Sequence, residues 1–364
     1  MKLEIPLHPL AQAPRWLAAM LLAFFVVAGA WNAVSLGIRD TAHVTDIEQR
    51  LDRGEKVDMD LYRQVHAAVA RGEDYYSAAL QGNRDFTFPT RPFVTVRTPV
   101  LAWGAALWGD YGWRVIAAIL WGANAVAWVF ALKGQTAPRE RDAALTLSLL
   151  MGAAAFIPEV AFSHELQGGL LISLALALSA TRWWIGALVA AVLGIAVREL
   201  AAPFLLAWAA IALASGRRRE FIGVLVAGAL VALGLWLHAR GVAGARLPGD
   251  ETSPGWMGMF GPSLPLYGIH VTTLFQVLPN WLAGPLGVLP LLGWIALGGR
   301  TGALATLWFA GFMAAVAIFA RQENFYWMGL FVPAYGVGLA FVPRAARDLW
   351  RSLKPSATAS PSSA

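Results

Sequence analysis

The sequence predicts an all-α fold, a polytopic bundle of about ten transmembrane helices with an extracytoplasmic first loop that carries amphipathic helices. Two observations lead to that prediction. The 364 residues are 58% hydrophobic and only 14% charged, and their mean hydropathy is +0.56. The 17 tryptophans fit the same class, because tryptophan gathers at membrane interfaces. The absence of cysteine excludes disulfides, thiolate ligands and thiol nucleophiles.

Apolar runs of roughly 20 residues, with some shorter ones, set the positions of the predicted spans. These spans are 16–36, 112–132, 142–158, 166–181, 183–198, 200–215, 220–239, 277–298, 302–320 and 325–343. They leave a cytoplasmic N-terminal segment at 1–15 and a first outer loop at 37–111. A second larger outer loop follows at 240–270, and a tail that is basic and then disordered follows at 344–364.

The basic residues predict the orientation of this bundle. With the N-terminus in the cytoplasm, the inner segments hold fourteen Lys and Arg, whereas the short outer loops hold four, namely Arg198, Arg240, Arg246 and Arg321. The positive-inside rule is satisfied in that orientation only. The net charge of +6 therefore reflects topology and does not indicate nucleic-acid binding. Both termini are predicted to be cytoplasmic.

In this orientation, polar and ionisable residues collect at the outer ends of several helices. They are Asp58, Asp60, Arg97, His164, Glu165, Arg198, Glu199, His270, Arg321, Glu323 and Asn324. Any one of them could be an interfacial residue in contact with water. Ionisable residues at membrane depth are costly and usually functional, so the whole collection predicts an extracytoplasmic site.

The stretch that begins at Asp58 predicts an amphipathic helix, because apolar residues recur at helical spacing from Leu61 to Val69. Asp58 and Asp60 then lie in its first turn, where an acid can simply cap the helix and complement its dipole. The same position favours an ionised carboxylate that could accept a proton from an acceptor hydroxyl. Both interpretations remain open from the residues alone.

The run "DMDLY", followed by "AAVARGEDYY", resembles the first outer loop of GT-C membrane glycosyltransferases. The resemblance is greatest to the bacterial mannosyltransferases that depend on polyprenyl-phosphate mannose, with Asp58 at the leading acid, Tyr62 at the tyrosine, and Gly72 and Tyr76 at the later pair. "RPFVTVRTPVLAWGAALWGDYGWR" resembles the proline-containing stretch before the second span. "RQENFYWMGLFVPAYGVGLAF" resembles the late outer loop and last helix. The resemblance implies that 16–343 is a transmembrane GT-C-like domain in a bacterial inner membrane.

The resemblance also implies a reaction. A sugar, with mannose as one candidate, would move with inversion from a polyprenyl-phosphate donor to an extracytoplasmic lipid or glycan acceptor. One carboxylate base suffices for a single in-line displacement, and Asp58 or Asp60 is expected to be that base. About 22 residues separate the first predicted span from Asp58, so Asp40 and Asp46 stay open as alternatives.

The leaving lipid phosphate would require arginines, whose planar guanidinium suits a phosphate better than a lysine does. The candidates are Arg97, Arg198 and Arg321. Arg198 and Arg321 each have an acid nearby, Glu199 and Glu323, so a local neutralising pair is the alternative. Sugar or acceptor contacts are predicted for Tyr62, His164, Glu165, Glu199, His270, Glu323 and Asn324.

Asp58-Met59-Asp60 also spells D-x-D, a metal–nucleotide signature of soluble glycosyltransferases. We discount it because no α/β nucleotide-binding domain is predicted. No cofactor is therefore predicted, and a divalent metal is allowed but not favoured. The expected partners are the donor, the acceptor and membrane lipids, without nucleic acid.

Two other functions fit a polytopic protein. A transporter or flippase of a lipid-linked glycan would place charges in the middle of the bundle and would break helices there. A scaffold without chemistry would use the first outer loop as a docking surface. The gathering of polar residues at one face favours the enzyme.

Overall fold

The computed structural model describes residues 5–52 and 58–354, with 42–52 as backbone only. Within these ranges the chain is helical and forms no β-sheet. Its α-helices are α1 (Arg15–Asp52), α2 (Asp58–Ala70), α3 (Tyr75–Asp85), α4 (Val100–Leu132), α5 (Pro138–Met151), α6 (Pro158–Ala161), α7 (His164–Ser179), α8 (Trp184–Val197), α9 (Pro203–Ala214), α10 (Arg218–Ala245), α11 (Ser263–Val271), α12 (Asn280–Leu297), α13 (Gly299–Phe319), α14 (Val332–Tyr335) and α15 (Val342–Leu353).

Several of these helices are long and apolar enough to cross a membrane. In the described part of the chain there are five, at Arg15–Thr41, Phe93–Leu132, Arg218–Gly244, Asn280–Leu297 and Gly299–Phe319. Gln322–Leu330 and Val332–Leu353 would make a sixth if this bent pair, with its angle of 57°, is one span. The all-helical class and the membrane character are thus confirmed, whereas the total of ten spans stays a prediction.

Four predicted spans correspond to short helices. α5 and α8 have 14 residues each, α7 has 16 and α9 has 12. At 1.5 Å per residue these helices rise about 18–24 Å, which is less than the roughly 30 Å of a bilayer's hydrocarbon core. Backbone breaks limit them: a 3-10 turn follows α5 at Ala153–Phe156, and extended backbone at Arg198 (φ −143°, ψ 103°) ends α8.

Long helices run past the ends predicted from hydropathy. α1 continues from the predicted end at residue 36 to Asp52, and α10 continues to Ala245. The residues added to α1 are mostly polar and those added to α10 are mostly small, but neither set contains proline, so each helix continues after the apolar run has stopped. α4 begins at Val100 and is interrupted at Gly109, whose positive φ of 70° suits glycine.

The last part of the described chain is a series of short helices and not one continuous span. The predicted span 325–343 overlaps the 3-10 helix Gln322–Leu330 and contains α14 and the 3-10 helix Gly336–Phe341. α15 follows, so the basic start of the predicted tail is helical up to Leu353. Its helical state has a packing reason, because Ala345 and Leu349 are buried against the bundle. Residues 355–364, predicted to be disordered, lie outside the described residues.

The helices α2 and α3 form a small layer over one end of the bundle. α2 buries Leu61 and Val65, and Leu61 packs so closely on Gly82 of α3 that a Cβ there would lie 2.7 Å from it. This layer has its own apolar core, completed by Val96 and Val242. The layer therefore covers the bundle from one side and gives Asp58 a fixed position.

An ion pair ties the second outer loop to this layer. Arg84 donates from Nε to Asp250 Oδ1 at 2.7 Å and from Nη2 to Asp250 Oδ2 at 2.9 Å. The guanidinium of Arg84 holds the pKa of Asp250 below its ordinary range, so the pair stays charged. The loop also carries Trp256 to the wall of the cavity described next.

Candidate active site

A cavity of about 1770 Å³ lies between the α2–α3 layer and the bundle. Met151, His164 and Arg198, at or beside the ends of α5, α7 and α8, line it. The opposite ends of these three helices are flanked by the basic residues of the loops around 133–141 and 182. The cavity therefore occupies the space that the short helices leave unfilled. Its volume exceeds the roughly 300–1,000 Å³ of a pocket for a drug-sized ligand.

Ten of the twelve predicted site residues line this one cavity. They are Asp58, Tyr62, Arg97, His164, Glu165, Arg198, Glu199, Arg321, Glu323 and Asn324. The fold brings them together from segments far apart in the sequence, which is what a site at one face requires.

Asp60 and His270 do not line the cavity. Asp60 is exposed and pairs with Arg63 at 3.2 Å on the outer side of α2. His270 is buried, with its Nε2 atom 3.8 Å from Asp40 Oδ1. Asp40 is likewise not part of the cavity wall, and the side chain of Asp46 lies outside the described residues.

Asp58 is the predicted base that faces the cavity. Its Oδ2 atom accepts a hydrogen bond from the hydroxyl of Tyr326 at 3.3 Å. Tyr326 in turn accepts from Arg97 Nη2 at 3.3 Å, so one tyrosine hydroxyl bridges the carboxylate and the guanidinium. Asp58 and Arg97 thus lie on the same wall of the cavity without direct contact, so each can still bind a group of a substrate.

Arg97 is held by tyrosines. Its Nε donates to the hydroxyl of Tyr62 at 3.0 Å, and its backbone carbonyl accepts from the hydroxyl of Tyr75 at 2.5 Å. Burial raises the pKa of Tyr62 well above its ordinary value, so that hydroxyl remains neutral. Among the described side chains no carboxylate lies within 4.0 Å of the Arg97 guanidinium. Its charge is therefore available to an anionic ligand.

Arg198 has the opposite environment. It is 1% exposed and donates from Nε to Glu165 at 2.8 Å and from Nη1 to Glu199 at 2.5 Å. Two carboxylates therefore surround one cation, and the triad carries a net negative charge when all three groups are ionised. Such a buried triad fixes the break between α8 and α9. It does not offer an unpaired positive charge.

The segment after α13 supplies the third predicted arginine. Arg321 Nε lies 3.0 Å from Glu323 Oε1, and both side chains are partly exposed. Asn324 is buried, and its Oδ1 accepts from the backbone N–H of Arg321 at 3.1 Å. Asn324 therefore caps the 3-10 helix, which is a structural role that the sequence prediction did not include.

Several buried polar atoms on the cavity wall have no hydrogen-bond partner among the described residues. They are His164 Nδ1, Arg198 Nη2, Glu199 Oε2, Trp327 Nε1 and Arg321 Nε, the last of which has only the ion pair with Glu323. Buried polar groups are normally satisfied, so atoms of this kind indicate a place for water or for the hydroxyls of a ligand. The ring of His164 also packs edge-on against Tyr62, with centroids 4.8 Å apart.

Sequence reasoning did not select Tyr326, the residue that joins Asp58 to Arg97. It lies in the quoted run "RQENFYWMG" but inside a predicted span, so it was assigned to the membrane. Its neighbours Arg321, Glu323 and Asn324 are polar, which is the signal that could have extended the outer loop by several residues. Trp327, whose ring lies 5.9 Å from the Arg198 guanidinium carbon, was overlooked for the same reason.

No group of three His, Asp or Glu side chains with metal-binding geometry exists among the side chains that the structure describes. Asp58 and Asp60 do not converge, because one faces the cavity and the other faces away. The Asp58-Met59-Asp60 motif therefore does not place two carboxylates where they could bind the same metal ion.

No family model, curated protein or solved structure matches this chain. The resemblance to GT-C glycosyltransferases, stated from short motifs, therefore stays a prediction. Fold and cavity geometry are the basis for the function proposed next.

Proposed function

We propose that the protein is a membrane glycosyltransferase that moves a sugar from a polyprenyl-phosphate donor to an extracytoplasmic lipid or glycan acceptor. The observation that supports it most is the wall formed by Asp58, Tyr326 and Arg97 in a large cavity. A proton acceptor and an unpaired cation lie on either side of one hydroxyl. In the proposed topology the protein sits in a bacterial inner membrane with this wall on the extracytoplasmic side.

Asp58 is the general base of the proposed reaction. Its carboxylate takes the proton of the acceptor hydroxyl while that oxygen attacks the anomeric carbon of the donor sugar. The bond from the anomeric carbon to the phosphate oxygen breaks, and its electron pair leaves with the polyprenyl phosphate. One displacement of this kind inverts the anomeric configuration. Asp60 is not assigned this role, because its side chain points away from the cavity.

Arg97 is the proposed ligand of the donor phosphate. A guanidinium has five N–H donors, and Arg97 uses two atoms, Nε and Nη2, on the tyrosine hydroxyls. The remaining donors can bind the phosphate oxygens as negative charge develops on the leaving group. Arg198 is less suited to this role, since Glu165 and Glu199 already neutralise it.

An apolar part of the cavity is suited to the lipid chain of the donor. Its lining includes Leu150, Met151, Ile157 and Val332. Leu150 and Ile157 are also 45% and 49% exposed, so this part is continuous with an apolar outer surface. A prenyl chain could therefore enter from the membrane without crossing water.

The unpartnered polar atoms of His164, Glu199 and Trp327 are the proposed contacts of sugar or acceptor hydroxyls. Carboxylate oxygens accept from hydroxyl groups, and the indole N–H donates to them. Mannose is one candidate sugar because of the motif resemblance.

A donor panel tests the proposal directly. Membranes that contain the protein are incubated with labelled polyprenyl-phosphate mannose, glucose, galactose and arabinose, and the label is followed into water-soluble and lipid products. We expect one donor to be consumed in the presence of the protein and not in membranes without it. Labelled lipid that crosses the bilayer unchanged would instead support a flippase, and no consumption of any donor would contradict the enzyme.

Replacing Arg97 by glutamine is expected to lower kcat/KM for the donor by about 10²-fold, the size seen when one charged contact to a developing anion is lost. The measurement is the initial rate against donor concentration at fixed acceptor. Arg63→Gln is the matched control, because Arg63 is an exposed arginine on the outer side of α2. Equal loss in both variants, or no loss for Arg97→Gln, would remove the phosphate role from Arg97.

A further inference from the structure

The helix α15 is anchored to the bundle by its inner face. Arg344 is 2% exposed and donates from Nε to Glu140 at 3.1 Å. Asp348 is 3% exposed, and its Oδ2 atom lies 3.0 Å from His8 Nδ1. Leu349, also buried, packs into the main apolar core. These contacts to both the N-terminal segment and α5 fix the direction in which the outer face of α15 points.

The outer face of α15 is cationic and aromatic. The side chains of Arg347 and Trp350 are each 64% exposed, and Arg351 and Lys354 are exposed as well. Lys354 Nζ lies 5.9 Å from the centroid of the Trp350 ring. Asp348, the one acid in the sequence of α15, is turned inward. We call Arg347, Trp350, Arg351 and Lys354 the α15 basic face.

The start of α1 extends this face. Arg15 donates from Nη2 to the backbone carbonyl of Leu353 at 3.2 Å, and the neighbouring Trp16 is 64% exposed. Glu140 lies 3.4 Å from Arg347 and offsets part of the charge, but it is shared with the buried Arg344. The surface around the end of α15 therefore remains positive.

The α15 basic face lies where the apolar surface of α1 begins. Met20 and Phe24, one and two turns beyond Trp16, are each 61% exposed. A membrane that covers those apolar side chains would bring its headgroups level with Trp16 and the α15 basic face. Tryptophan favours this interfacial depth, and lysine and arginine there attract acidic lipids.

We propose that the α15 basic face binds the headgroups of anionic phospholipids. The phosphodiester of such a lipid would pair with Arg347, Arg351 and Lys354, and the Trp350 ring would lie among the upper acyl carbons. Zwitterionic lipids carry their own cation beside the phosphate and would gain less from the same face. This inference is independent of the sugar-transfer reaction, because α15 contributes no residue to the cavity wall.

Titration of the full chain with single lipids tests the proposal. The protein, purified in a non-ionic detergent, is titrated with phosphatidylglycerol or phosphatidylcholine, and bound lipid is measured by native mass spectrometry. We expect tighter binding of phosphatidylglycerol and a fall in its affinity of about tenfold or more in the triple variant R347Q/R351Q/K354Q. High salt should weaken phosphatidylglycerol binding to the unaltered chain and leave phosphatidylcholine binding unchanged.

The matched control is R71Q/R91Q/R114Q, which removes the same charge from exposed arginines on other parts of the surface. Its phosphatidylglycerol affinity should equal that of the unaltered chain. The proposal is overturned if the unaltered chain binds both lipids equally, if the α15 variant keeps full affinity, or if the control loses as much. The salt titration uses the unaltered chain, so it decides whether the binding is electrostatic even if a variant does not fold, and the two triple variants decide where the lipid binds.

Discussion

Asparagine in place of Asp58 is expected to lower the rate of sugar transfer by about 10²–10⁴-fold, the usual contribution of a general base. The amide has nearly the shape of the carboxylate and can still accept a hydrogen bond from Tyr326, but it cannot take a proton. The loss should therefore appear in kcat at saturating donor and acceptor. The measurement is the transfer rate in membranes, at equal amounts of folded protein.

Asp60→Asn is the control that the geometry offers. The two aspartates are two residues apart on one helix, and the Asp60 carboxylate is half exposed and paired with Arg63. Its loss should change the transfer rate by less than about twofold, since exposed pairs contribute little. Full activity in Asp58→Asn, or equal inactivation of both variants, would refute the assignment of Asp58 as base.

The second large effect is on stability and concerns Arg198. Replacing it by methionine removes the cation between Glu165 and Glu199 and leaves two carboxylates that are only 9% and 11% exposed. Breaking a buried ion pair from one side typically costs about 3–5 kcal/mol. The thermal unfolding midpoint of the detergent-solubilised protein should fall by several degrees.

The variant E165Q/R198M/E199Q separates charge from packing. It removes the cation and both acids together, so no uncompensated charge remains, and most of the lost stability should return. If Arg198→Met instead melts like the unaltered protein and only weakens donor use, Arg198 would bind the phosphate and the triad would not be structural.

Hydropathy located most helices correctly but not their lengths. The observed α12 and α13, at Asn280–Leu297 and Gly299–Phe319, fall close to the predicted 277–298 and 302–320. α8 and α9 also fall within their predicted spans or nearly so, yet they are too short to qualify as spans by themselves. A hydropathy average cannot detect where a helix breaks. The turn Ala153–Phe156 after α5, for example, is as apolar as the helix before it, so the average stays high although the helix has ended.

The convergence of ten predicted residues on one cavity could be predicted from the sequence, because helix ends on one side of a membrane lie near one another. The sequence also contains the information on which of the two aspartates faces the cavity. Successive residues rotate by about 100° around a helix, so Asp58 shares a face with Leu61 and Val65, whereas Asp60 shares the exposed face of Arg63. Contacts such as Tyr326 with Asp58, 268 positions apart, need the folded chain and leave no local pattern.

The short lengths of α5, α7, α8 and α9 affect how a lipid-linked substrate would reach Asp58. In the proposed topology, these helices are about 6–12 Å shorter than the hydrocarbon core of a bilayer, so the cavity at their ends would lie within the leaflet. In the proposed reaction, an isoprenoid carrier would keep its tail among the acyl chains while its sugar enters the cavity from the side. Moving such a tail into water would cost about 0.8 kcal/mol for every methylene exposed. A cavity that lies within the leaflet would avoid that cost at each turnover.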